Sequence, residues 1–236
     1  MVIFYLVLII LFALFLIIYL KKKHELFIQR RELFFIHIPK NAGTSIEDVS
    51  KSQNILWGRH YKWKSIDNIK CNKWHIPPKY INNNDYKNKI LFCIVRNPYN
   101  RIISEFQYNR IISEFQYISD YKYSATHLND FISNLQSRYK NNSFMNDCHI
   151  LPQIEYIKKS DNSINKDIII LRFENIEIDF KNLLEKYKYD DIKLSHSNKS
   201  KGGLSFKDLN KNSIKIINEM YNEDFKEFNY DKLDTF

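Results

Sequence analysis

Leu33-Phe-Phe-Ile-His-Ile-Pro-Lys-Asn-Ala-Gly-Thr-Ser45 is the stretch that decides the fold. The apolar run from Leu33 to Ile38 has the continuity of a strand buried on both faces, and it stops at Pro39 and Lys40. Gly43 then lets the backbone turn closely, and Thr44 and Ser45 begin a helix. A strand that enters a loop and then a helix aims backbone N–H groups at an anion, so the stretch predicts a phosphate cradle. Ile94-Val-Arg-Asn-Pro-Tyr-Asn-Arg-Ile-Ile-Ser104 repeats the arrangement. Here Leu91 to Val95 forms the strand and delivers Arg96 to its C-terminal edge. Ser104 stands two turns up the following helix. The two segments predict sites for two separate phosphates.

Outward from these segments, the chain alternates between strand and helix patterns. The pattern predicts strands over 33–38, 89–95 and 167–172, with a short one near 70–75. It predicts helices over 44–51, 98–117, 128–139, 176–188 and 211–227. Continuous apolar strands between amphipathic helices imply a parallel sheet covered on both faces, with ligands at the strands' C-terminal edge, where Lys40, His75 and Arg96 fall. The residues after the N-terminal segment suffice for one well-buried domain. The net charge of +9 suits an anionic ligand, although heavy use of Lys and Asn accounts for it equally well.

Residues 2–20 carry no charge, and as a helix they span about 28 Å, the thickness of a hydrocarbon core. The run is too long for a signal peptide and lacks a basic segment before it and a small-residue cleavage site after it. The expected organisation is a transmembrane anchor at 1–20, a basic stem at 21–32 and a catalytic domain at 33–236. Lys21, Lys22, Lys23, Arg30 and Arg31 follow the span, which by the positive-inside rule favours a cytosolic domain. Cys93 lies within an apolar strand and reads as core. Cys71 and Cys148 precede His75 and His149, and are either a disulfide or two unrelated thiols; their spacing is poor for zinc.

Tyr99-Asn-Arg-Ile-Ile-Ser-Glu-Phe-Gln107 recurs without change at 108–116. Nine residues turn a helix by about 900°, so the two copies face opposite sides and cannot bury the same face. Arg96 fixes the register, which assigns phosphate binding to Arg101 and Ser104 of the first copy. The second copy, with Arg110 and Ser113, is then an extension, partly exposed or bent away.

The two phosphate segments together resemble those of the sulfotransferases, specifically the membrane-bound carbohydrate group. Pro39 to Ser45 resembles their 5′-phosphosulfate loop. Arg96 to Ser104 resembles their 3′-phosphate motif, Arg-(Asn/Asp)-Pro-x-x-Arg-x-x-Ser. His149-Ile-Leu-Pro-Gln153, Leu171-Arg-Phe-Glu-Asn175, Ser195-His-Ser-Asn-Lys-Ser200 and Ile217 to Tyr230 follow in family order, so the likeness covers roughly 33–230. A P-loop kinase or NTPase shares the strand–loop–helix cradle, but the chain lacks Gly-Lys-(Ser/Thr). A sulfotransferase-derived binding protein that has lost activity is the non-enzymatic alternative; intact Lys40, Arg96 and Ser104 oppose it.

The resemblance implies a P-loop-like three-layer α/β/α fold with a central parallel sheet, preceded by one transmembrane helix. It implies 3′-phosphoadenosine 5′-phosphosulfate as donor, a glycan or other hydroxyl-bearing acceptor, no metal and no nucleic-acid partner. It also implies a Golgi membrane location with a lumenal catalytic domain, against the charge rule. Lys40, Asn41, Ala42, Gly43, Thr44, Ser45, Arg96 and Ser104 are the expected donor-binding residues. Lys199, Lys201 and Gly202 resemble the family's flexible lid over the 3′-phosphate. Lys73-Trp-His75-Ile-Pro resembles the segment that carries the base, which makes His75 the expected base with Lys73 assisting; His60 is the runner-up. His149 and Gln153 are expected at the acceptor. His37, inside the first strand, is expected to pack or to orient the loop.

Overall fold

The computed structural model describes residues 2–29, 32–61, 69, 71–112, 124–189, 192, 194 and 203–234. Helix α1 (Val2–Gln29) has mean hydropathy 2.7 over Phe4–Lys23, with no part of that window buried, and is long and apolar enough to cross a membrane. It runs on through the expected stem, past Lys21–Lys23.

Three strands, β1 (Leu33–Ile36), β2 (Ile90–Val95) and β3 (Ile169–Arg172), form a parallel sheet in the order 1-2-3. Leu33 pairs with Ile90 and Ile36 with Cys93; Phe92 pairs with Ile169 and Val95 with Arg172. Strand side chains alternate between faces, and β1 and the central strand β2 are buried on both. Leu33, Phe35, Ile90, Phe92 and Ile94 pack with α2 (Gly43–Ser52) and α6 (Ile176–Lys186) through Ile46, Val49, Phe180 and Leu183. Phe34, Ile36, Leu91, Cys93 and Val95 pack with Leu151, Ile154, Tyr156, Ile157 and Phe228. Against the strands, then, one covering layer is helical. The other is largely the 3₁₀ turn Gln153–Tyr156 and its flanks, where a second helical layer was expected.

A further core joins α3 (Pro98–Ile112), α4 (Ala125–Ser133), α5 (Leu135–Asn141), α7 (Lys211–Met220) and α8 (Asn222–Glu227) through Ile102, Phe106, Leu128, Ile132, Ile217 and Phe225. Two expected helices are each broken. Asn134 separates α4 from α5, its side-chain Nδ2 donating to the Asp130 carbonyl at 2.9 Å. Tyr221 separates α7 from α8, anchored by its hydroxyl to the Ile150 carbonyl at 2.8 Å. The expected strand near 70–75 is not formed. Lys73–His75 is a 3₁₀ turn, followed by another at Pro78–Tyr80. Pro77 and Pro78 have no N–H to give to a ladder, which keeps this segment outside the sheet.

Candidate active site

Past Ile36 the chain leaves the sheet, and Lys40 and Ala42 take left-handed backbone angles, φ 70° and 62°. That sharp turn places Ala42 at the start of α2, where no side chain caps the helix. The first N–H groups of a helix have no intrahelical acceptor, so this end of α2 carries the positive end of the helix dipole. Asn41 holds the loop against β2: its Nδ2 donates to the Ile94 carbonyl and to Gln153 Oε1, both at 2.7 Å. Arg96 closes the other side. Its Nη1 donates to the Lys40 carbonyl at 3.2 Å and its guanidinium lies 4.0 Å from the centre of the Phe173 ring. Burial pushes the Arg96 pKa down to about 10 and that of Lys40 to about 8, each against a neighbouring carboxylate. Arg96 Nε and Asn41 Oδ1 are buried without a protein partner, which fits an edge that completes its hydrogen bonds with a ligand.

Beside this loop stands a row of three histidines, each paired to a carboxylate. The His37 and His75 rings are 4.7 Å apart, and those of His75 and His149 are 5.0 Å apart. His37 Nδ1 bonds Glu47 Oε1 at 2.7 Å, His75 Nδ1 bonds Asp147 Oδ2 at 2.8 Å, and His149 Nδ1 bonds Glu105 Oε2 at 2.7 Å. A carboxylate only accepts, so each neutral ring carries its proton on Nδ1 and keeps a lone pair on Nε2. Burial holds the His75 pKa below its ordinary value, against the pull of Asp147. At neutral pH, therefore, His75 is a free base.

Local backbone and cross-links build this row. Asn146, Asp147 and Cys148 are three successive left-handed residues, φ 50°, 57° and 64°, an arrangement that costs about 1–3 kcal/mol per residue and needs its surroundings to hold it. Cys148 is disulfide-bonded to Cys71, with Cα atoms 5.8 Å apart, which resolves the two open readings of those cysteines. Asn72 donates to Asp147 from its backbone N and, at 2.5 Å, from its side chain. The buried Tyr156 hydroxyl donates to the His75 carbonyl at 2.9 Å. The left-handed turn thereby delivers Asp147 to His75 and His149 to Glu105.

The expected residues divide as follows. Lys40, Asn41, Gly43, Arg96, His75 and His149 converge at this edge, with Ala42, Thr44 and Ser45 at the start of α2; Ser104 is half-buried on α3. Lys73 is exposed, two residues before His75 in the same 3₁₀ turn. His60 stands on the 3₁₀ turn Gly58–His60, which touches the turn carrying His75; its Nε2 accepts from Arg59 Nε at 3.4 Å at the surface. Gln153 is fully buried, with Nε2 donating to the Arg96 carbonyl at 2.8 Å and Oε1 accepting from Arg96 N at 2.9 Å, so it clamps the two loops instead of facing an acceptor. Arg101 does not serve a phosphate. Its guanidinium is buried and donates to the carbonyls of Pro39, Leu151 and His149 at 3.1, 2.9 and 2.9 Å. Tyr108, the first residue of the second nonapeptide, is exposed, as expected of an extension, yet it is not bent away from this edge: Lys40 Nζ lies 3.6 Å from its ring centre. Lys199, Lys201, Gly202 and Ser113 fall outside the described residues.

Sequence reasoning missed Glu47, Glu105, Tyr108, Asp147 and Tyr156. The i, i+4 spacing of Arg101 and Glu105 was the one available signal. Among the described residues, His75, Asp147 and His149 are also a group able to hold a metal ion, their ligating atoms lying within 4.8 Å of one another.

An uncapped helix start, two converging cations and carboxylate-oriented histidines at the C-terminal edge of a parallel sheet define a class: an α/β protein with a candidate anion site at that edge. The particular assignment follows from comparison. The model of the Sulfotransferase family matches residues 23–231, most of the chain, and the chain belongs to that family. Comparison with curated proteins and with solved structures gives no match.

Proposed function

We propose that the chain moves a sulfuryl group from 3′-phosphoadenosine 5′-phosphosulfate to a carbohydrate hydroxyl by in-line displacement. The observation that carries this reading is the adjacency of the Lys40–Arg96 edge to a neutral, carboxylate-oriented His75. Residues 39–45 would hold the 5′-phosphosulfate end, in a P-loop-like manner, and Arg96 with Ser104 the 3′-phosphate; the donor supplies an already activated sulfuryl group. Lys199, Lys201 and Gly202 would close over it. His75 Nε2 takes the acceptor proton as the new O–S bond forms and the bond to the phosphate oxygen breaks. Asp147 steadies the resulting imidazolium, and Lys40 meets the charge left on the bridging oxygen. Lys73 lies at the entrance, and His149 lines the acceptor side.

The apolar helix α1 would anchor the domain in a membrane. The Cys71–Cys148 disulfide supports a lumenal, Golgi-type placement over a cytosolic one, because such bonds persist in oxidising compartments. Two measurements test the reading together: calorimetry with 3′,5′-bisphosphoadenosine against ATP, and transfer of labelled sulfate to a glycan panel. Metal-independent, selective binding of the bisphosphate and labelled glycan are expected. Equal affinity for ATP, or strict dependence on Mg²⁺, overturns it.

A further inference from the structure

Arg101, Glu105 and Tyr108 stand at i, i+4 and i+7 on α3 and share one face of the helix. Arg101 and Glu105 close the first nonapeptide copy's contribution to that face, and Tyr108 opens the second copy. All three point their contacts at the same place. Arg101 holds the Pro39 carbonyl, Glu105 holds His149, and the Tyr108 ring lies under Lys40 Nζ and 5.7 Å from the His149 ring. The equivalent residue of the first copy behaves differently. Tyr99 is buried, packs on Phe225 with ring centres 5.1 Å apart, and accepts from Leu233 N at 2.8 Å. Identical residues thus occupy a core and a site, because nine residues leave a helix half a turn out of phase.

We propose that the second copy of the repeat supplies a working part of the site: Tyr108 is a positioning residue whose ring face holds the Lys40 ammonium at the mouth of the 39–45 loop, beside His149. The inference rests on the proposed role of Lys40 at the donor. A lysine side chain is long and flexible, and Lys40 stands on a left-handed turn outside any helix or strand. Arg96 and Arg101 repel its charge, with Glu105 as the counter-charge. An aromatic face at 3.6 Å adds a directional attraction that neither carboxylate nor loop supplies. Burial by these neighbours is also why the Lys40 amine titrates near 8.

The sequence contains its own control. The residue after the second copy is Tyr117, so excising residues 108–116 joins Gln107 to Tyr117 and leaves a tyrosine at the same helical register. Lys40 acetylation by a water-soluble amine reagent at pH 7, followed by peptide mass spectrometry, reads the ring's hold on Lys40 directly. Calorimetry with 3′,5′-bisphosphoadenosine on the same variants reads the donor assignment separately. Wild type, Tyr108→Phe and the 108–116 deletion should label Lys40 at one rate. Tyr108→Leu, which keeps bulk without a ring, should label about 3- to 30-fold faster, the range of a cation–π contact, as should the deletion combined with Tyr117→Leu. Wild-type labelling in Tyr108→Leu, or fast labelling in Tyr108→Phe, overturns the inference even if the nucleotide binds. If the labelling contrast holds and no variant binds the nucleotide, Tyr108 keeps its role toward Lys40 and the donor assignment fails.

Discussion

Gly43→Ala should destabilise the domain through a single side chain, that of His37. A Cβ built on Gly43 would lie 2.0 Å from His37 Nε2 and 2.3 and 2.4 Å from two ring carbons, where ordinary contact begins near 3.4 Å. The backbone is not the obstacle, since Gly43 opens a regular helix. His37 therefore has to retreat, and its surroundings prevent it. Its Nδ1 is bonded to the buried Glu47, which also takes Arg59 N at 2.8 Å, and its ring sits between Phe35 and His75. Overpacking costs about 1–3 kcal/mol and loosening a buried hydrogen bond about 1–3 more, so we expect about 2–6 kcal/mol in total. The assay is a double-mutant cycle of Gly43→Ala with His37→Ala, by equilibrium unfolding of the detergent-solubilised chain. His37→Ala opens the space, so the double variant should recover about 2 kcal/mol relative to additivity. Strict additivity, or a cost for Gly43→Ala below about 0.5 kcal/mol, would refute the steric argument.

Other expectations concern the chemistry and its scaffold. His75→Ala should lower kcat by about 10²–10⁴ with little change in nucleotide affinity. The acid limb of kcat/KM should fall below the ordinary histidine pKa, because burial depresses His75. Asp147→Asn should move that limb further down and cut kcat, since Asp147 raises the His75 pKa; an upward move would show that His75 is not the titrating base. Arg96→Ala should cost about 2–4 kcal/mol of bisphosphate binding, and Arg96→Lys should not restore it, as calorimetry would show. Reduction should raise the count of titratable thiols in the unfolded chain from one to three. It should also lower stability by about 2–4 kcal/mol and slow turnover by freeing Asp147 from His75; unchanged turnover would separate the disulfide from the site.

Much of the architecture was legible in the residues themselves. Apolar continuity marks β1 and β2, Pro39 and Pro98 punctuate them, and the charge-free run at 2–20 marks α1, because these are local signals read through a fixed period. The convergence of Lys40 and Arg96 followed from parallel strands alone, which place their C-terminal ends at one edge. The break between α7 and α8 was set instead by packing, where the Tyr221 hydroxyl reaches the Ile150 carbonyl. The chemistry of the histidines was decided the same way. His75 meets Asp147 and His149 meets Glu105 across 72 and 44 residues of chain, and no local period encodes either pairing. Gly43 shows the limit most clearly. The sequence read Gly43 as the residue that turns the backbone, but Lys40 and Ala42 make that turn, and what Gly43 provides is room for the His37 ring. Tyr99 and Tyr108 show it again, since sequence makes them identical and only the phase of one helix against its neighbours separates a core residue from a partner of Lys40.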